Sequence, residues 1–506
     1  MTKRTTILIA FILLKFLLQY LLISPQYELQ RDEYLHLDQA NHLAWGYTSV
    51  PPVTSWISFI IKLLGNSVFW IRFFPAVFGA LTIMIVWKTI TFLKGDLFAC
   101  ILGATGVLFS VLLRLNILYQ PNALDVLCWT TFYYVMVLYI GTEKKKWLLV
   151  AALVFAIGFL NKYNIVFLLL GFLPAILMSP QRRVFKQRSF YLALFLGLIL
   201  IFPNLIWQYQ NNFPVIHHMK ELSETQLINV KIGDFLVAQL FFFLGAAIII
   251  IAGWYALLRY PAFAAYRLYL WSFLITLSIF IYFKAKDYYV IGLYPIYISF
   301  GAVYMEQLLQ TGWRRYLRPV AIVIPILLFI PMYRYFFPNK SPEEILRKQK
   351  RYKELGFLRW EDGKDHELPQ DFADMLGWKE LTRKVDSVYS RIPAREHTMV
   401  LCDNYGQAGA INYYTRQGIK AVSFNADYIN WIDLSHPYVN LIRVKTSGDS
   451  HDELQKTASI FNAGFIAGSI TNRFSREYGT TIFVFRNAKT DINKRIAWEI
   501  KEEKRW

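Results

Sequence analysis

The chain has 506 residues, 55% hydrophobic and only 18% charged, with a mean hydropathy of +0.32. A soluble protein of this length needs a more charged surface, so composition excludes an ordinary soluble enzyme over most of the chain. The net charge of +19 does not imply nucleic acid, because much of the excess sits in short loops between apolar runs, where lysine and arginine orient membrane helices.

Apolar runs of membrane-spanning length recur from Ile7 to about Phe337 and then stop. The first continues to Leu22 with no small-residue cleavage site after it, which reads as an uncleaved helix rather than a signal peptide. Helices are expected at about 7–24, 72–93, 97–114, 124–141, 147–160, 163–179, 190–207, 233–258, 267–283, 288–308 and 319–337, with 147–160 and 163–179 short enough to form a broken or re-entrant element. Eleven crossings place the strongly basic loops, including Glu143–Lys146, Gln181–Arg188 and Gly312–Arg318, on one face, as cytoplasmic loops should be. The expected fold is a polytopic α-helical membrane domain over 1–337 with an outer loop at 25–71, then an extracytoplasmic α/β domain over 338–506.

Within the outer loop, Leu35, Leu37, Ala40, Leu43 and Ala44 fall near helical spacing, which predicts an amphipathic helix over Tyr34–Trp45 at the membrane interface. Beyond 338, strand-like runs are expected at Thr398–Cys402, Ala421–Phe424, Tyr438–Val444, Gly464–Ile470 and Thr480–Phe485, and helices at Gln370–Tyr389 and Asp452–Phe461. Neither GxGxxG nor GxxxxGK[ST] occurs in this part, so nucleotide binding has no motif behind it. Cys100, Cys128 and Cys402 form neither a disulfide framework nor a zinc pattern.

Charged side chains at the membrane boundary are costly and concentrate where function needs them. Arg72, Arg114, Lys162, Lys284 and Lys286 map to the outer helix ends, against the positive-inside trend. Five cations on one face suit a lipid phosphate or pyrophosphate; the structural alternative is snorkelling, or pairs such as Lys286 with Asp287. Asp32 and Glu33 follow the first helix, and Asp125 lies where the chain re-enters the membrane. A carboxylate beside a cation-bound phosphate leaving group is what glycosyl transfer uses as base; a solvated helix start is the alternative for Asp32 and Glu33. His36 and His42 stand four residues after Asp32 and Asp38, so a divalent metal stays open without being required. Pro51-Pro52 followed by Trp56 also fits a turn with an interfacial anchor.

Several of these segments, in order, resemble the C-class (GT-C) glycosyltransferases, in the branch holding the dolichyl-phosphate-mannose protein mannosyltransferases and the lipid A aminoarabinose transferase. They are the acidic pair Asp32–Glu33, Pro51-Pro52 with Trp56, Arg72-Phe73-Phe74-Pro75, Gln120–Asp125, Asn161-Lys162-Tyr163, Pro203–Gln208, Lys284–Tyr289 into Tyr294-Pro295, Leu368–Met375 and Asn404–Ala410. The resemblance implies an inverting enzyme of a bacterial inner membrane, drawing on a polyprenyl-phosphate sugar donor and a lipid, glycan or protein acceptor, with no nucleotide cofactor and with metal dependence that varies. It assigns Asp32 as the base, Asp125 as a second acidic position that orients donor or acceptor, and Lys284 and Lys286 as contacts to donor phosphate, assisted by Arg72. Many relatives carry proline after the aspartate where this chain has Leu124-Asp125-Val126, a departure that bears on Asp125. The other function class weighed is a transporter or flippase of lipid-linked sugars. That class calls for mid-membrane charges and internal repeats, whereas the charges here cluster at the boundary.

Overall fold

The computed structural model describes residues 2–225, 227–450 and 452–504. It divides into two compact units: Met1–Ile23 with Val50–Thr54 and Ser67–Asn339, and Ser24–Ser49 with Ser55–Asn66 and Lys340–Trp506.

The first unit is helical. Among the described residues, five helices are long and apolar enough to cross a membrane: Lys3–Leu21, Val68–Phe92, Asn122–Thr142, Arg188–Gln210 and Gly312–Tyr335. Three bent pairs raise the number to as many as eight: Ile165–Leu177 with Pro180–Lys186, Ile232–Phe242 with Leu244–Arg259, and Asp287–Leu293 with Pro295–Leu308. Leu97–Leu108, Lys146–Asn161 and Leu268–Tyr282 are apolar but shorter. Each expected helix therefore has a counterpart, but their lengths do not give eleven full spans.

The breaks have local causes. The run expected over 97–114 ends at Leu108, and a separate turn, Val111–Leu115, begins where the Ser110 hydroxyl accepts the Leu112 amide. The run expected over 233–258 breaks near Gly245, where a Cβ would meet the Pro325 carbonyl at 2.8 Å. Pro295 opens its helix at a first-turn position, where its missing N–H costs nothing.

In the second unit, strands β1 (Thr398–Cys402), β2 (Ala421–Ser423), β3 (Asn440–Lys445), β4 (Phe461–Ser469) and β5 (Thr481–Ala488) form one mixed sheet in the order β2-β1-β3-β5-β4. β1 runs parallel to both β2 and β3, while β5 is antiparallel to β3 and β4. One face buries Met399, Leu401, Leu441, Phe483 and Phe485 against Ile492 and Ile496 of the helix Ile492–Glu503. The helix expected over Gln370–Tyr389 is broken. Gly377, at φ +89°, separates Gln370–Ala373 from Trp378–Tyr389. The helix expected over Asp452–Phe461 shrinks to Glu453–Ala458, because Phe461 already opens β4.

The outer loop departs most from expectation. Its first helix is Arg31–Asp38, followed by the single 3-10 turn Gln39–Asn41 and later by a second helix, Val53–Leu63; Arg31–Asp38 belongs to the same unit as the sheet. Tyr34, Leu35 and Leu37 are buried in protein rather than laid on a membrane surface. The receiving surface is the helix Tyr405–Tyr414, on which Gly406 and Gly409 present bare backbone. A Cβ on Gly406 would meet Arg31 Cγ at 2.6 Å, and one on Gly409 would meet Tyr34 Cβ at 2.8 Å. Asn404 caps that helix by accepting the Gln407 amide at 3.0 Å.

Candidate functional site

Several of the candidate residues fall into two clusters, one in each unit. In the helical unit, Asp125 sits in the first turn of Asn122–Thr142. Its carboxylate accepts the Trp129 indole N–H and the Asn164 amide, each at 3.0 Å. Asn164 also donates to the Tyr289 carbonyl at 2.8 Å, which ties Asp125 to the late segment of the unit. Lys162 follows the helix Lys146–Asn161 in extended conformation. Its Nζ donates to Asn122 Oδ1 at 2.6 Å and stands 4.3 Å from the Tyr289 ring centre and 5.4 Å from that of Tyr288. The charges of Asp125 and Lys286 both bear on it. Asn161 donates to the Pro121 carbonyl at 2.8 Å and fastens the two helix ends together.

Two predicted residues, Asp125 and Lys162, thus stand in one network with Asn122, Asn164 and Tyr289, and Lys286 is near enough for its charge to act on Lys162. Arg72 is buried, and its guanidinium donates to the Ile117 carbonyl. Arg114 is buried in the short helix Val111–Leu115. Lys284 is exposed and takes φ +49° in the turn after Leu268–Tyr282. Sequence reasoning quoted Asn122, Asn161, Tyr288 and Tyr289 within motifs without giving them a role, and it passed over Asn164, two residues after Lys162. It also passed over Lys15, buried in the first helix and donating to Gln19 one turn on.

In the sheet-bearing unit, Asp32 occupies the first turn of Arg31–Asp38. Its Oδ1 accepts the Tyr405 hydroxyl at 2.7 Å. The Arg31 guanidinium lies 4.3 Å from the Tyr405 ring centre. Burial, reinforced by the charge of Asp32, holds the Tyr405 hydroxyl well above the ordinary phenol range, so it remains a donor. Behind them Asp374 pairs with Arg476 at 3.2 Å. Glu33 is placed differently from Asp32: it is fully buried and accepts the Gln30 amide at 2.6 Å, while the Gln30 side chain accepts the Asp32 amide at 2.8 Å. This reciprocal capping box starts the helix.

The histidines serve the packing. His36 is buried, which lowers its pKa, and its Nδ1 lies 3.4 Å from Gln39 Oε1. His42 stacks on Trp431 with ring centres 4.3 Å apart. Asp38 accepts the Tyr428 hydroxyl and the Asn412 amide, each at 2.7 Å. Among the described residues, no three His, Cys, Asp or Glu side chains are placed to hold a metal ion.

Comparison with known proteins finds similarity over part of the sequence and over the fold. Residues 49–207 match the family described as dolichyl-phosphate-mannose-protein mannosyltransferase. The lipid A galacturonosyltransferase RgtD of Rhizobium johnstonii is 25% identical over 217 residues, which is 40% of this chain and 45% of that protein. The match thus spans less than half of that relative's length. The fold is that of ArnT from Cupriavidus metallidurans, solved with undecaprenyl phosphate bound, at a TM-score of 0.61 and 12% identity over 95% of this chain and 98% of that one. The apo form of the same protein gives 0.59.

Proposed function

We propose, from the premise that this chain belongs to the C-class glycosyltransferases of the dolichyl-phosphate-mannose-protein mannosyltransferase family, that it moves a sugar from a polyprenyl-phosphate carrier to an acceptor at the outer face of a bacterial inner membrane. The observation that carries this reading is the Asp125–Lys162–Lys286 cluster, a carboxylate and two ammonium groups at the ends of otherwise apolar helices. Such a site suits a phosphate-bearing head at the edge of a bilayer.

In this reading Asp32 takes the proton from the acceptor as the acceptor oxygen attacks the anomeric carbon. The bond from that carbon to the phosphate oxygen breaks on the opposite side, and polyprenyl phosphate leaves with the electron pair, giving inversion. Lys162, Lys284 and Lys286, assisted by Arg72 and Arg114, hold the donor phosphate in the ground state as well as in the transition state. Asp125 orients the donor. Among acceptors we favour lipid A, on the strength of the galacturonosyltransferase relative. Eleven crossings, with the short and broken helices counted, would put residues 338–506 and the loop 25–71 outside.

The test is reconstitution in proteoliposomes with a polyprenyl-phosphate sugar and lipid A, read by lipid mass spectrometry. Asp32→Asn should lower transfer by about 100-fold or more, with membrane insertion intact. Lys284→Ala should raise the donor KM with a smaller change in kcat. Near-normal transfer by Asp32→Asn would remove Asp32 as the base.

A further inference from the structure

The basic segment after Ile165–Leu177 is more than a topology signal. The chain turns by 107° there into Pro180–Lys186, so this short 3-10 stretch runs across the helices instead of along them. Arg182, Arg183 and Lys186 are exposed on it, and Arg188 is exposed where the next helix begins. No acidic residue occurs between Leu177 and Ile199, so the segment itself is purely cationic.

The same stretch turns Val184 inward. Val184 is buried, and with Phe190, Met136, Ala152, Phe172 and Gly197 it lines an apolar cavity of about 140 Å³. Its lining is almost wholly apolar and it opens to the surface of the unit, so it suits a hydrocarbon chain. The helices Asn122–Thr142, Lys146–Asn161, Ile165–Leu177 and Arg188–Gln210 form its walls. An apolar slot whose rim carries a cluster of cations matches one amphiphile, with its tail in the slot and an anionic head on the rim.

We infer that this corner of the helical unit is a specific site for an anionic glycerophospholipid, with an acyl chain entering the cavity and the phosphate resting on Arg182, Arg183, Lys186 and Arg188. The site is separate from the Asp125–Lys162 cluster. On Lys146–Asn161 the lining ends at Phe155, seven residues before Lys162, and on Asn122–Thr142 it begins at Phe132, seven residues after Asp125. At 1.5 Å per residue each gap is roughly 10 Å. A carrier whose phosphate sits at Lys162 therefore cannot place that phosphate on the basic rim.

Native mass spectrometry of the full-length protein, offered equal amounts of phosphatidylglycerol, phosphatidylcholine and undecaprenyl phosphate, tests this. Wild type should retain one phosphatidylglycerol about tenfold more often than phosphatidylcholine. Arg182→Ser/Arg183→Ser/Lys186→Ser alters only exposed positions and should bring the two to parity. Ala152→Leu/Gly197→Leu keeps every charge, fills the slot and should also lose the retained lipid. Equal retention of the two glycerophospholipids by wild type overturns the inference. So does an unchanged preference in the triple variant, or undecaprenyl phosphate displacing phosphatidylglycerol in wild type but not in the triple variant.

Discussion

Tyr405 gives Asp32 an orientation as well as a partner. Its hydroxyl is held protonated and points at one carboxylate oxygen from 2.7 Å. A hydrogen bond to a charged acceptor contributes about 1.5–3 kcal/mol. Tyr405→Phe should therefore lower kcat about tenfold with the donor KM nearly unchanged, which steady-state kinetics in proteoliposomes would show; equal activity in the two proteins would leave Tyr405 a packing residue. On the helical side, Lys162→Met keeps the side-chain length and removes the charge. It should raise the donor KM more than it lowers kcat, because Asp125 keeps its neutral donors Trp129 and Asn164. Neither contact is visible to spacing arguments. Tyr405 and Asp32 lie 373 residues apart, and Asn122 and Lys162 lie 40 apart.

Pairs of elements show how short patterns are spent. The glycines of Asn404–Ala410 are a packing face: Gly409 gives room to Tyr34 Cβ and to the Tyr428 hydroxyl, each 2.8 Å from where a Cβ would stand. Gly409→Val should cost about 1–3 kcal/mol by overpacking, read as a lower Tm and faster proteolysis within residues 24–49. Glu380 ties Trp378–Tyr389 to the end of β4. Burial works to raise its pKa but is outweighed by Lys384 at 2.7 Å and by the Thr471 amide and hydroxyl, which hold it down at about 2. A carboxylate depressed in the folded state stabilises it above the unfolded pKa of about 4.5, and this contribution is lost as pH falls toward 2. The Tm gap between wild type and Glu380→Gln should thus be full at pH 6 and should close as pH is lowered below 4.5, as a pH series of thermal melts would record. The pair Gln30 and Glu33 carries a related lesson. A glutamate three residues after a capping side chain is a helix start, the alternative that the sequence offered for Asp32 and Glu33 and the one Glu33 takes.

At the scale of the whole molecule, close backbone contact holds the helices together where side chains are smallest. Gly253 and Gly301 face each other across Ala247–Arg259 and Pro295–Leu308, and a Cβ on Gly301 would collide with the Ile249 carbonyl. Gly301→Val should lower the yield of monodisperse protein sharply, since backbone cannot rotate aside as a side chain can. The proposed sidedness has its own check: alkaline phosphatase fused at the C-terminus should be active and the same enzyme inserted at Gly312 inactive, and the reverse result would invert the topology.

The amino-acid sequence by itself located the apolar helical runs before residue 338 and the five strands after it, though not every helix end or break, together with the acidic and basic side chains that stand out against apolar surroundings. Those features are written locally, in hydropathy, in periodicity and in the cost of a charge near lipid. Only tertiary structure decided that residues 24–49 fold with residues 340–506, that Arg31–Asp38 is buried in protein, and that Asp125 meets Lys162 through asparagines and tyrosines from distant segments. Each of these depends on loop closure between segments far apart in the chain, which sequence spacing does not record.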